Sequence, residues 1–285
     1  MTAVKILSGE HKISTLCRVL KVCRSTYYKF LNHQKSNREI ENTKIRKAIL
    51  DIYSKSDKRL GTDKMTICLA RDHRINISRG RVYRLMKSMN LPKMSTRKPP
   101  KPQRIIPDDH PGDRVNHLKQ RFDQPFPNKV WVSDFTYLKA GGKTYYLCAV
   151  MDLFSRMIIA YRLSSRIDTE LAIRTLDDAV KFRKNSNGVI FHTDQGSQFT
   201  SAKFRKHLDE LGMIQSFSAK GHPYDNAVME CFFKYLKAEE TDRHSYASFD
   251  DLRLSVFKYI SGFYNSLRPH SHNNGLSPIQ VEEVT

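Results

Sequence analysis

The sequence has little of what would staple or anchor a chain. Its five cysteines (Cys17, Cys23, Cys68, Cys148 and Cys231) are odd in number and form no C-x-x-C pair. That argues against a disulfide framework or a zinc ribbon and for a reducing compartment. No run of about 18 apolar residues occurs, and the N-terminus lacks the apolar segment of a signal peptide. A membrane or secreted protein is therefore not expected, and a cytoplasmic one is. There is no long internal repeat, and one tryptophan, Trp131, stands in the whole chain. With 285 residues, 39% of them hydrophobic, the chain is long enough for about two domains with a core of their own.

What the chain has in excess is positive charge, and it is unevenly placed. Of 49 Lys and Arg against 29 Asp and Glu, residues 1–106 hold 26 and 7, a balance of +19, and residues 107–285 hold 23 and 22, a balance of +1. A basic front joined to a near-neutral body predicts a polyanion as partner, because each phosphate neutralised releases condensed counterions. Eight of the 11 prolines fall between Pro92 and Pro127, including Arg97-Lys98-Pro99-Pro100-Lys101-Pro102. Proline fixes φ and lacks an amide donor, so this stretch reads as a semi-rigid linker.

Two helical pairs are expected in the front. The first runs Ile13 to Leu20, with Ser14 placed to cap, turns at Lys21-Val22 and continues from Cys23 to Phe30. The second opens at Thr62-Asp63, turns at Ile75-Asn76-Ile77, and continues from a Ser78 cap through Arg79 to Met89. Helix, short turn, helix is a layout that presents its second member to a DNA groove. Arg24 in the first pair and Arg79, Arg81 and Arg84 in the second are the candidate DNA contacts, to phosphates rather than to bases.

After the linker the pattern changes to strands. Val130–Leu138, Thr144–Asp152 and Met157–Leu163 are β-branched and aromatic, with Gly141-Gly142 and Phe154-Ser155 as turns. A helix follows over Asp168–Lys184, with Leu171, Leu176, Ala179, Val180 and Phe182 as its apolar face. Then come a short strand ending at His192, a helix from Ala202, a strand near Ile214 and a last helix from Asp225-Asn226 to Glu239. That order predicts a mixed sheet with helices on its faces.

Three carboxylates stand where such a fold would gather them. Asp134 lies inside the most aromatic strand, where a carboxylate is costly without a cation. Asp194 follows the fourth strand and precedes a glycine by two residues, and Glu230 sits one turn into the last helix, on its largely apolar side. Clustered carboxylates raise one another's pKa unless a cation neutralises them, and an oxygen-only set favours Mg²⁺ or Mn²⁺. Other polar residues nearby have plainer readings: Asp152 as a turn or supporting group, His192 as a hydrogen-bonded neighbour, Asn226 as the cap of the last helix, Trp131 as core.

The spacing Asp134, Asp194, Glu230, with thirty-five residues between the last two, comes with the segments His192-Thr193-Asp194-Gln195-Gly196-Ser197-Gln198-Phe199 and Gly221-His222-Pro223-Tyr224-Asp225-Asn226. The tail adds Tyr264-Asn265-Ser266-Leu267-Arg268-Pro269-His270. Together they resemble bacterial insertion-sequence transposases of the second-reading-frame kind, whose catalytic core is similar to retroviral integrases. The resemblance implies an α/β fold, a ribonuclease-H-like five-stranded mixed sheet with flanking helices, preceded by small all-α helix-turn-helix modules. It implies helix-turn-helix segments over 1–35 and 42–94, a linker over 95–126, a catalytic core over 127–242 and a helical tail over 243–285. It further implies that Asp134, Asp194 and Glu230 hold two Mg²⁺ or Mn²⁺ ions for DNA cleavage and strand transfer, and that Lys237, two turns after Glu230, touches DNA phosphate. Terminal-repeat and target DNA, a homo-oligomer on DNA, an upstream-frame protein and a nucleoid location follow by the same resemblance. No heptad run stands at the start of the chain, which reads as the downstream-frame product. A catalytically silent DNA-binding regulator, and a structure-specific nuclease of the same fold, are the alternatives.

Overall fold

The computed structural model describes residues 1–32, 34–92, 114–218 and 226–284. It separates into two compact units, Met1–Asp51 and Ile52–Thr285. The proline-rich segment Arg97–Pro102 and the motif residues Gly221–Asp225 lie outside the described residues.

In the first unit α1 (Thr2–Leu7), α2 (Ile13–Val19) and α3 (Arg24–Leu31) close a small core of Val4, Leu16, Cys17 and Tyr27. The turn between α2 and α3 places Lys21 at φ 51° and lets the Val22 N–H reach the Cys17 carbonyl at 2.8 Å. Ser14 is not the cap. Ile13 packs against this core, so the helix begins two residues earlier than a Ser14 cap would start it, after Lys12, and has no side-chain cap. Helix α4 spans Asn37–Lys55.

The second unit begins with the predicted helical pair, α5 (Thr62–His73) and α6 (Arg79–Ser88). Ser78 accepts the Arg81 N–H as expected of an N-cap, and Arg74 leaves α5 in the left-handed region at φ 55°. The sheet follows: β1 (Val130–Ala140), β2 (Lys143–Asp152), β3 (Met157–Ser164), β4 (Ile190–Thr193) and β5 (Ile214–Phe217), in the order β3-β2-β1-β4-β5. The first three form an antiparallel meander, and β4 and β5 add in parallel beside β1. Helix α7 (Thr169–Arg183) makes the crossover, opened by the Asp168 side chain on the Leu171 N–H at 2.8 Å. With α8 (Ser197–Thr200) and α9 (Ala202–Glu210) it covers one face of the sheet over Trp131, Phe191, Phe199, Phe204 and Leu176. Trp131 is core, as read. Phe182 is not: it is 57% exposed, because the neighbouring Arg183 turns inward to Glu282 at 2.6 Å and Asp152 at 3.2 Å.

The rest of the chain is α10 (Ala227–Glu239), α11 (Phe249–Tyr259), a π-helical stretch over Ile260–Tyr264 and α12 (Pro278–Glu283). The Asn265 amide meets both backbone groups of Ile158, at 3.0 and 2.9 Å, and so substitutes for a strand partner on β3. The last turn of α10 is gripped from two directions. Arg268, 2% exposed, makes two hydrogen bonds of 2.8 Å to the Glu239 carboxylate, which also receives Lys64 and the Tyr259 hydroxyl, each at 2.9 Å. Arg59 reaches Glu240 at 2.6 Å. Burial would raise the Glu239 carboxyl, but Arg268 and Lys64 overcome it and hold it at about 2. Gly275, at φ +88°, admits the tail onto α5, where a Cβ would come within 2.6 Å of Ile67. Among the described residues no helix is long and apolar enough to cross a membrane.

Candidate active site

In a parallel pair the chain reverses its direction of progress across the sheet between β1 and β4, and such switch points leave a crevice beyond the carboxyl ends of the strands. Val132 is abreast of His192 in the last register pair of β1 with β4. Two residues further on, the same register sets Asp134 abreast of Asp194. Beyond Val132 that edge of β1 has no strand partner among the described residues, and the crevice opens there.

Each carboxylate is held by what surrounds it. Asp134 is half-buried and accepts the Phe135 N–H at 2.7 Å. Its carboxyl is pushed up to about 7, first by burial, then by the charge of Asp194, with Glu230 adding to it. Asp194 is exposed and accepts the Gly196 N–H at 3.0 Å. Glu230 projects from α10 into solvent, while Met229, Phe232, Phe233 and Leu236 take the core. It is therefore not on the apolar side of its helix but flanks the buried stripe. What desolvation it has raises its carboxyl. Among the described residues no three such side chains close on one point as a finished cation cage. The charges of Asp194 and Glu230 both act on Asp134.

The neighbours explain the placement. Asn226 does not cap α10 with its side chain. Its Nδ2 donates to the Ser133 carbonyl at 3.4 Å, tethering the start of the Glu230 helix to the residue before Asp134. His192 is fully buried between two hydroxyls, Ser216 at 2.8 Å and Ser218 at 3.1 Å, which is the hydrogen-bonded role expected of it. Asp152, also fully buried, accepts the Asn128 and Phe154 N–H groups and pairs with Arg183 at the far end of β2. Gln195 bridges Arg114 and the Ser218 carbonyl, at 3.0 and 3.1 Å.

The donor set fits a hard divalent cation. All three side chains offer oxygen only, and no Lys or Arg among the described residues pairs with Asp134. Gly196 keeps room beside the site: a Cβ there would lie 2.9 Å from Asp194 Oδ1. Because the clash is with a side-chain end, Gly196→Ala is expected to fold with an unchanged melting temperature while turning the Asp194 carboxylate away. Mispositioned supports cost about 10- to 100-fold, so DNA joining should fall by that factor with DNA affinity unchanged, as measured by joining rate and fluorescence anisotropy.

The predicted DNA contacts occupy open surfaces. Arg24 opens α3 in the first unit and is exposed. On α6, Arg84 is exposed and Arg81 half-buried, and Arg79 pairs with Asp63 at 2.5 Å, an exposed pair that a phosphate can displace. Lys237 is half-buried with Nζ 4.3 Å from the centre of the Tyr137 ring. Burial lowers its pKa, which Asp242 partly offsets. Tyr137 was not singled out by sequence. Its signal was there, a large aromatic on a strand three places after Asp134.

Comparison with known proteins gives the family. An integrase core domain profile matches residues 124–223, a second integrase core profile matches 211–278, and an HTH-like domain profile matches 39–100. The chain is 34% identical over 281 residues to the transposase InsF of insertion sequence IS3A from Escherichia coli K12, covering 96% of this chain and 95% of that one. The chain belongs to the insertion-sequence transposase family. It is also 31% identical to an uncharacterized 31 kDa protein of insertion element IS600 from Shigella sonnei, over 94% of this chain and 97% of that one. Among solved structures it resembles a simian T-cell lymphotropic virus intasome in complex with PP2A regulatory subunit B56 gamma, at 17% identity and TM-score 0.45, over 80% of this chain and 73% of that one. The transposase is thus a polynucleotidyl transferase with an integrase-type, ribonuclease-H-like core and a helix-turn-helix-like DNA-binding segment.

Proposed function

We propose that Asp134, Asp194 and Glu230 of this transposase together hold two Mg²⁺ or Mn²⁺ ions, and that the site cuts DNA at the ends of its element and joins the freed 3′-hydroxyl to target DNA. The observation that carries the reading is the register that sets the half-buried Asp134 abreast of Asp194 beside the crevice, with the charges of Asp194 and Glu230 both acting on Asp134. Bound there, divalent ions would supply Lewis acidity at the scissile phosphate and lower the pKa of the attacking oxygen. Asp134 stands within β1 just past its last pairing with β4, Asp194 directly follows the end of β4, and α10 carries Glu230 near enough for its charge to act on Asp134. Lys237, two turns along α10, offers its ammonium to the DNA backbone. Arg79, Arg81 and Arg84 on α6 neutralise DNA phosphates, and Arg24 on α3 does the same from the first unit. No side chain needs to form a covalent bond to DNA.

The segments 1–35 and 42–94 serve as helix-turn-helix modules, 95–126 joins them to a core over 127–242, and the tail 243–285 completes it. Transposition brings two element ends together, which calls for at least two copies of the site, so the working form is a homo-oligomer on DNA in the bacterial nucleoid. The upstream-frame protein of the element is the further partner. The test is a strand-transfer assay on an oligonucleotide bearing the element's terminal repeat, with Mg²⁺, Mn²⁺ or EDTA. Joined strands that depend on the cation are expected. DNA binding without joining in any metal would make the chain a silent regulator, and cutting without joining would make it a nuclease.

Asp134 also ties stability to the cation. A carboxyl whose folded pKa lies above its unfolded value of 3.8 makes the unfolded state bind fewer protons between about pH 4 and 7, so stability falls across that window as pH rises. Without metal at pH 8, Asp134→Asn is expected to be more stable than the parent, by about a few kcal/mol at most, and to melt higher. Adding Mg²⁺ should raise the parent's melting temperature and leave the variant's unmoved. Equal responses in differential scanning fluorimetry would count against cation binding at Asp134.

A further inference from the structure

Beyond the carboxylates, β1 continues to a hairpin tip that is tied to the segment following α10. The Gly141 N–H donates to the Tyr246 carbonyl at 2.9 Å. Gly141 itself, at φ +53°, stands so close that a Cβ would meet the Ala247 carbonyl oxygen at 2.7 Å. Between tip and segment lies a cavity of about 770 Å³, within the size range of pockets that hold small organic groups. Its walls include Tyr137, Lys139, Lys237, His244 and Tyr246, with Asp242 as the acid. Tyr137 is 60% exposed, an unusual cost for an aromatic on a strand, and the Lys237 ammonium sits over its ring at 4.3 Å.

Rings and ammonium groups around one open cavity are what an unpaired nucleotide requires: a stacking platform for the base and cations for its phosphate. The location is right for the same ligand. Lys237, which lines the cavity, stands seven residues after Glu230 on the same face of α10, about 10 Å along the helix, so a strand whose phosphate lies at the carboxylates passes the cavity with its adjoining nucleotides. We infer that this cavity is a subsite for an unpaired nucleotide next to the reacting phosphodiester, with its base stacked on Tyr137. The inference rests on the strand-transfer reading and adds to it: the enzyme receives frayed or single-stranded DNA at its ends, and an aromatic ring, not the carboxylates, selects for it.

The experiment measures binding by fluorescence anisotropy, in Ca²⁺ or without metal so that no chemistry intervenes. Three labelled duplexes are compared: one with a short thymidine tail, one with the same tail made of abasic residues, and one blunt. The parent is expected to bind the thymidine tail about tenfold more tightly than the abasic tail. In Tyr137→Ala that preference should vanish, and in Tyr137→Trp it should return. Tyr137 is mostly solvent-exposed, so all three proteins should melt alike. A parent that binds thymidine and abasic tails equally, or a preference that survives in Tyr137→Ala, overturns the inference. Joining of terminal-repeat DNA by the parent is scored separately, so failure of the subsite and failure of the strand-transfer reading give different results.

Discussion

Asp194→Asn is expected to bind DNA as the parent does and to join no strands. The substitution keeps size and the hydrogen bond from the Gly196 N–H at 3.0 Å, and removes one negative charge from the mouth of the crevice. If Asp194 is a cation ligand, the loss is several kcal/mol of transition-state stabilisation, on the order of 10³-fold or more in rate. A purely structural aspartate at this exposed turn would cost almost nothing on replacement. Single-turnover joining, with anisotropy and melting on the same preparation, separates the two. Joining at the parent's rate would remove the enzymatic assignment of this residue, and with it the carboxylate set.

The largest effect on stability is expected at Arg268. It is 2% exposed and pairs through two nitrogens with Glu239, itself 5% exposed. Removing one partner of a buried pair strands the other charge, at about 3–5 kcal/mol. For Arg268→Met that corresponds to a fall in melting temperature on the order of 10 °C. The same pair sets the acid limb. Because Glu239 titrates near 2 in the folded chain, against 4.5 when free, its contribution is complete above about pH 4.5 and is lost as pH falls towards 2. The parent should therefore lose more stability than Arg268→Met on going from pH 6 to pH 3, as read by urea melts at both values. Equal losses would show that Arg268 does not hold the Glu239 proton off.

Much of this was legible in the sequence because it is local. Alternation of β-branched and aromatic residues around two glycines marks the β1–β2 hairpin, and Ser78 before a basic run marks the start of α6. Asp194 stands out for the same kind of reason, a carboxylate directly after a short apolar strand. What stayed hidden depends on partners far along the chain. Lys64 and Glu239 are 175 positions apart, and Arg59 and Glu240 are 181 apart, so no window of sequence shows that α5 docks on the helix of Glu230. Asn226 looked like a cap because it precedes a helix, yet a neighbouring strand offers its amide a carbonyl. Phe182 looked like core because its spacing fits, until Arg183 claimed the inward direction for two carboxylates.

The grip on α10 also bears on the order in which the protein can be made. Glu239 leaves the ribosome 29 residues ahead of Arg268, and in that interval Lys64 and Arg59 are the cations of the grip already synthesised, for Glu239 and Glu240 respectively. A nascent chain that stops between the two carries every member of the carboxylate set while Glu239 lacks its buried Arg268 partner, so a product truncated there is expected to hold the helix that bears Glu230 less firmly than the full chain.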